Sequence, residues 1–150
     1  MSRTTPPPRQ WGHQLALPAA AIGFACATGY NSLVAIREAV PGKPFGVRPP
    51  FSVTRGILVG WGSAVAAPWP MPVAAVFAAI RRSGRLGAAR AAIVCACIGG
   101  AGIVGILIEP NTYTMGSWTP PIRRAVFAHV ATSAALAMAG ISSLRDARRP

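Results

Sequence analysis

Acidic side chains are almost missing from this 150-residue chain, which holds Glu38, Glu109 and Asp146 and no others. Charge as a whole is scarce, at 12% of residues; a soluble protein carries about a quarter. A soluble chain of this length needs polar residues to cover its surface, and here there are too few. Nor are there enough ionisable groups for a dense acid/base centre. Cysteine is equally sparse. Cys26, Cys95 and Cys97 form no CxxC pair and have no histidine close by in sequence, which argues against a disulfide framework or a metal site. Cys95 and Cys97 are two apart, so a helix turns them to roughly opposite faces. All three are expected to be small buried hydrophobes. GxSxG, HExxH, a Walker loop and a dinucleotide fingerprint are all missing, so no cofactor and no metal is called for.

What the chain does have is apolar length. Hydrophobic residues make up 52% of it, and charge-free runs cover 10–36, 56–80, 91–108 and 125–144. A helix rises about 1.5 Å per residue, so such runs can cross a hydrocarbon core of roughly 30 Å. The expected architecture is all-α, a polytopic membrane protein with a bundle of four transmembrane helices. Its spans fall at about 15–36, 51–80 (with a proline break at 68–72), 86–108 and 120–144. Residues 1–14 and 145–150 flank this domain as a disordered tail and a basic tail.

Fifteen bases give a net charge of +12, which suits anionic lipid headgroups. They are spread over several loops with no aromatic interleaving, so nucleic acid is not the expected partner. With four spans both termini share a side. Nine bases (Arg3, Arg9, Arg81, Arg82, Arg85, Arg90, Arg145, Arg148 and Arg149) lie on that side, and six (Arg37, Lys43, Arg48, Arg55, Arg123 and Arg124) on the other. The positive-inside rule then places both termini in the cytoplasm of a plasma-membrane protein. Trp11, Tyr113 and Trp118 fall near the expected boundaries, where amphipathic rings settle. Ala25-Cys26-Ala27 resembles a signal-peptide cleavage site, but the apolar run continues through Ile36 and reads as a retained span.

Three local patterns refine the picture. Thr119 followed by Pro120-Pro121 predicts the start of the fourth span, since a proline in the first turn leaves no donor unpaired. Ala92, Ala96 and Gly100 form a small-xxx-small ridge that would let helix backbones approach closely in lipid. Pro68-Trp69-Pro70-Met71-Pro72 predicts an interruption of the second span. That break lies either near the midplane, lining a cavity, or at the inner surface, after a span of about 51–67 and before an interfacial helix over 73–85. A shift of 71 residues also pairs 15–50 with 86–121 in ten identities, among them Glu38 with Glu109 and Pro49-Pro50 with Pro120-Pro121. A duplication would make two tandem helical hairpins.

His129 is the only His, Asp, Glu, Lys or Arg in the interior of an expected span; Arg55, Arg90, Arg123 and Arg124 lie at span ends. Thr132 and Ser133 follow at helical spacing, so the three are expected on one inward face. There the histidine either ties two helices together or handles a ligand or proton. Glu38 and Glu109 close the first and third spans, each at the negative end of a helix dipole. Arg37, Arg55, Arg123 and Arg124 are near enough in topology to pair with them. Tyr30, Asn31, Glu38, Arg55, Trp61, Glu109, His129, Thr132 and Ser133 together make one candidate outward-facing polar pocket; no catalytic residue is singled out. Two functions are open, of which the first is the expected one and the second its alternative. One is a non-enzymatic accessory or assembly partner, working with another membrane protein or as a homo-oligomer. The other is a membrane enzyme or transporter for a lipophilic substrate.

Overall fold

The first helix opens on Pro8, where a missing backbone N–H costs nothing, and α1 runs Pro8–Arg37. A computed structural model of the chain describes residues 8–110, 112, 113 and 118–148, with 8–14 as backbone only. Helix therefore begins within the stretch expected to be a disordered tail; residues 1–7 and the side chain of Trp11 lie outside the described residues. Along α1, Leu17, Ala21, Phe24, Thr28, Asn31 and Ala35 are buried at helical spacing, while Leu15, Ile22, Leu33 and Ile36 face outward. The helix stops in a six-to-one turn. Ala39 takes a left-handed φ of 50° and the Val40 N–H reaches back to the Ala35 carbonyl at 2.9 Å.

A 3₁₀ turn, Pro44–Gly46, leads to α2 (Val53–Val59), whose Ser52 cap accepts the Arg55 N–H at 3.3 Å. Helices α3 (Pro70–Ile80), α4 (Gly84–Leu107) and α5 (Pro120–Arg148) complete the chain, and no strand occurs among the described residues. α4 and α5 fall close to their expected bounds, although α5 carries helix through most of the expected basic tail. The second apolar run departs from expectation. Its interruption is at 60–69, not 68–72, and no helix spans 51–67. Two glycines decide this. Gly60 at φ 107° and Gly62 at φ 78° turn the chain out of α2, in conformations that side chains other than glycine's resist. The prolines then start a helix instead of breaking one. Pro70 is the first residue of α3 and Pro72 lies in its first turn, where backbone N–H groups have no partner within the helix.

Hydrogen bonds fix the directions of the long helices. The Lys43 N–H, just beyond α1, donates to Glu109 Oε2, just beyond α4, at 2.7 Å. Thr119, just before α5, donates its hydroxyl to Glu38 at 3.1 Å. So α1 and α4 end at one face of the bundle and α5 starts there. Between Arg37 and Gly84 the chain must return to the opposite face, and it does so through α2, the irregular stretch 60–69 and α3. The first hairpin thus has a broken return where the second has the unbroken α5. Pro120-Pro121 open α5 directly, whereas α2 begins only at Val53, three residues after Pro49-Pro50.

α4 and α5 meet along a seam of small residues. A Cβ built on Gly99 would lie 2.5 Å from the Ala137 nitrogen and the Ser133 carbonyl oxygen; one on Gly140 would lie 2.6 Å from the Ala96 nitrogen. The backbones touch. Ala92 and Ala96 belong to this seam as expected, but it continues through Gly99 and Gly102, because a Cβ on Gly100 would meet nothing within 4 Å. Seven residues per two turns is nearer the helical period than eight, which rotates Gly100 off the contact line.

Leu15–Arg37, Gly84–Leu107 and Pro120–Arg148 are long and apolar enough to cross a membrane, with 33–39% of each most apolar window buried within the protein. Much of the remainder is apolar and faces out, including Ile22, Leu33, Leu86, Val104, Phe127 and Met138. A water-soluble monomer rarely exposes so continuous an apolar surface. These features mark a membrane protein. They also correct the expectation for cysteine. Cys95 is buried, its thiol 3.6 Å from the Ala75 carbonyl, but Cys26 and Cys97 lie on the outward faces of α1 and α4.

Candidate functional site

Backbone that is neither helix nor strand must find its own hydrogen-bond partners, and the stretch from Gly60 to Trp69 does so locally. Trp61 and Gly62 N–H both reach the Gly56 carbonyl, at 2.9 and 3.0 Å, and the Trp69 N–H reaches Ile57 at 2.9 Å. Ser63 makes a tight turn. Its N–H donates to the Ala66 carbonyl at 2.9 Å, and its hydroxyl accepts from Val65 and Ala66 at 3.3 and 3.0 Å. Gly42 packs against this turn so closely that a Cβ there would sit 3.1 Å from Ser63 Cα. Ala64, Val65, Ala66 and Ala67 are consequently buried although they belong to no helix.

This turn walls a cavity of about 290 Å³, closed on the other side by Gly102, Gly105 and Ile106 of α4 and by His129 of α5. Glu109 forms part of the wall at the end where α4 stops. Alanine, glycine, valine and isoleucine make up most of the lining, with Ser63, Glu109 and His129 as its polar side chains. Gly60, Trp61, Ala101 and Gly105 line the cavity and are also exposed. Those four mark its mouth, a lateral gap between the α2–α3 bend and α4.

Glu109 is 3% exposed. Its Oε2 is held by the Lys43 N–H, while Oε1 is enclosed without a hydrogen-bond partner. Backbone, not an arginine, therefore answers this carboxylate, because α4 ends two residues before Glu109 and the side chain meets the Lys43 loop. Glu38 is exposed and takes the Thr119 hydroxyl; the two glutamates have different environments and different partners. Arg55 is exposed, and its backbone N–H donates to the Ser52 cap.

His129 is 4% exposed, with Nε2 3.2 Å from the Gly102 carbonyl and its ring 6.0 Å from that of Phe24. A carbonyl only accepts, so Nε2 carries the proton and a neutral ring leaves Nδ1 as a bare acceptor. Nδ1 is enclosed without a partner. Gly102 makes this geometry possible, since a Cβ there would lie 2.5 Å from Ser133 Oγ and 3.3 Å from His129 Nε2.

The remaining candidates separate. Ser133 is fully buried beside Gly102, with its hydroxyl unpartnered. Thr132 is turned to its own helix, donating to the Ala128 carbonyl at 2.7 Å, so it does not join the other two. Asn31 is fully buried on α1 with both amide atoms unpartnered, and the neighbouring Tyr30 faces out. Trp61 stands at the mouth of the cavity, its indole N–H 3.4 Å from the Gly42 carbonyl and its ring edge-on to Phe51. Of the nine candidates, Trp61, Glu109 and His129 line the cavity. Sequence reasoning missed Ser63, Gly42 and Gly102, although Gly60-Trp61-Gly62-Ser63 carries a turn signal inside an apolar run. Thr28, buried and unpartnered one turn before Asn31, was missed as well.

No group of three or more potential metal ligands occurs among the described residues. The arrangement is suited to enclosing a small, largely apolar molecule beside a few polar groups. No family model, curated protein or solved structure matches the chain.

Proposed function

We propose that this chain is a four-crossing plasma-membrane protein, with α2, the irregular stretch and α3 as its second crossing and both termini cytoplasmic. Its proposed function is to bind a small lipophilic molecule in the cavity beside Glu109 and His129, as a transporter or membrane enzyme would. One observation carries the reading. Buried irregular backbone is tolerated within a bilayer where it is covered by protein or lines a cavity, and here the Ser63 turn walls one that opens sideways beside Ala101 and Gly105. A lateral mouth admits molecules dissolved in lipid.

Native mass spectrometry of the detergent-solubilised protein tests this. A defined small molecule should accompany the wild type and be lost on Ala101→Trp, which closes the mouth. A wild type that carries no molecule, or a molecule that Ala101→Trp retains, would refute the proposal. A second reading, an accessory or assembly partner of a larger membrane system, draws on the outward face of α4. A Cβ on Gly100 would meet nothing within 4 Å, which leaves room there for another helix. A stoichiometric protein partner in mild detergent, absent from Gly100→Leu, would favour it.

A further inference from the structure

A second hollow lies on the other side of the bundle, about 460 Å³ between α1 and α3. Its walls include Ala25, Trp69, Val73, Val76 and Phe77, and Arg81 closes one end. We infer that this groove holds one acyl chain of an anionic phospholipid, with the headgroup at Arg81. Length supports that occupant. The 11 residues of α3 rise about 16 Å, close to half of a roughly 30 Å hydrocarbon core. The groove therefore has the depth of a single leaflet. Charge supports it too. The Arg81 guanidinium lies 4.7 Å from the centre of the Phe77 ring, held at the top of an otherwise apolar wall. It follows directly on α3, where the chain turns into the base-rich segment that starts α4. A protein helix seated here would bury that cation against apolar surface, whereas a lipid phosphate meets it at the headgroup level.

The inference rests on the second crossing proposed above, which sets Arg81 at the membrane surface. A Ser83→Cys variant labelled by a membrane-impermeant thiol reagent from the cytoplasmic side alone checks that crossing separately. The lipid itself is tested in vesicles of equal phosphatidylglycerol and phosphatidylcholine, by extraction in mild detergent and quantification of retained lipid. Wild-type protein should retain phosphatidylglycerol preferentially. Arg81→Gln should cut that preference about fivefold, the factor that one base near the surface confers. Arg148, on the same side but away from the groove, attracts only exchangeable lipid that extraction removes, so Arg148→Gln should leave the retained preference unchanged. Val76→Trp fills the groove and should reduce retention of both lipids. Equal preference in wild type and Arg81→Gln, equal loss in Arg148→Gln, or a protein cross-linked to the groove would overturn the inference.

Discussion

Replacing Gly99 by alanine adds one methyl group at the point where α4 and α5 are closest. The new Cβ would lie 2.5 Å from both the Ala137 nitrogen and the Ser133 carbonyl oxygen, and 2.9 Å from Ala137 Cα. All three are backbone atoms, so no rotamer change can make room. Ordinary contact begins at 3.4 Å, and the helices must part by most of the difference. Overpacking of this kind costs about 1–3 kcal/mol. Separation also loosens the Gly102–Ser133 and Gly140–Ala96 contacts on either side. Gly100→Ala is the matched control. Its Cβ meets nothing within 4 Å, and alanine is favoured over glycine in a helix by about 0.8–1 kcal/mol. The two variants should therefore differ in sign, with Gly99→Ala melting several degrees below wild type in detergent and Gly100→Ala at or above it. Equal shifts would refute the seam, and with it the argument that backbone contact, not apolar burial, joins these helices in lipid.

Glu109→Ala removes the acceptor of the half-buried Lys43 N–H and should cost about 1.5–3 kcal/mol; Glu109→Gln keeps an acceptor and should retain most of the stability, as read by the same melts. Ser63→Ala strands the Val65 and Ala66 donors in the buried turn and should cost about 1–3 kcal/mol, with faster proteolysis between α2 and α3 as a second readout. Gly62→Ala meets both a left-handed φ and an oxygen at 2.9 Å, so its melting point should fall further than that of Gly60→Ala, which has open space. In detergent, a small lipid-soluble mercurial should modify Cys26 and Cys97 at once and Cys95 only on unfolding; early reaction at Cys95 would contradict the packing of α4 against α3.

Much of the fold was legible from the chain alone. Long charge-free runs locate α1, α4 and α5, because lipid demands apolar side chains over some twenty residues whatever the neighbours are. The Pro120-Pro121 start of α5 is equally local. The second run was misread because proline has two meanings: it interrupts a helix already under way and it starts a new one. Which applies depends on where the previous helix stops, and the positive φ of Gly60 and Gly62 decided that upstream. The cysteines and the Gly100 ridge erred for another reason, since helical spacing gives relative facing but not which face meets protein.

The candidate site divides along the same line. Read along the chain alone, His129 is the one histidine deep in an apolar run, and Glu38 and Glu109 close two spans. Packing between distant segments is what buries Glu109 under the Lys43 loop while Glu38 stays exposed. It also turned His129 to the Gly102 carbonyl and Thr132 back to its own helix. Segregation of charge is a property of each segment in its solvent and can be read along the chain. Which polar atoms end up enclosed without partners depends on contacts between segments far apart in sequence, and those exist only once the helices pack.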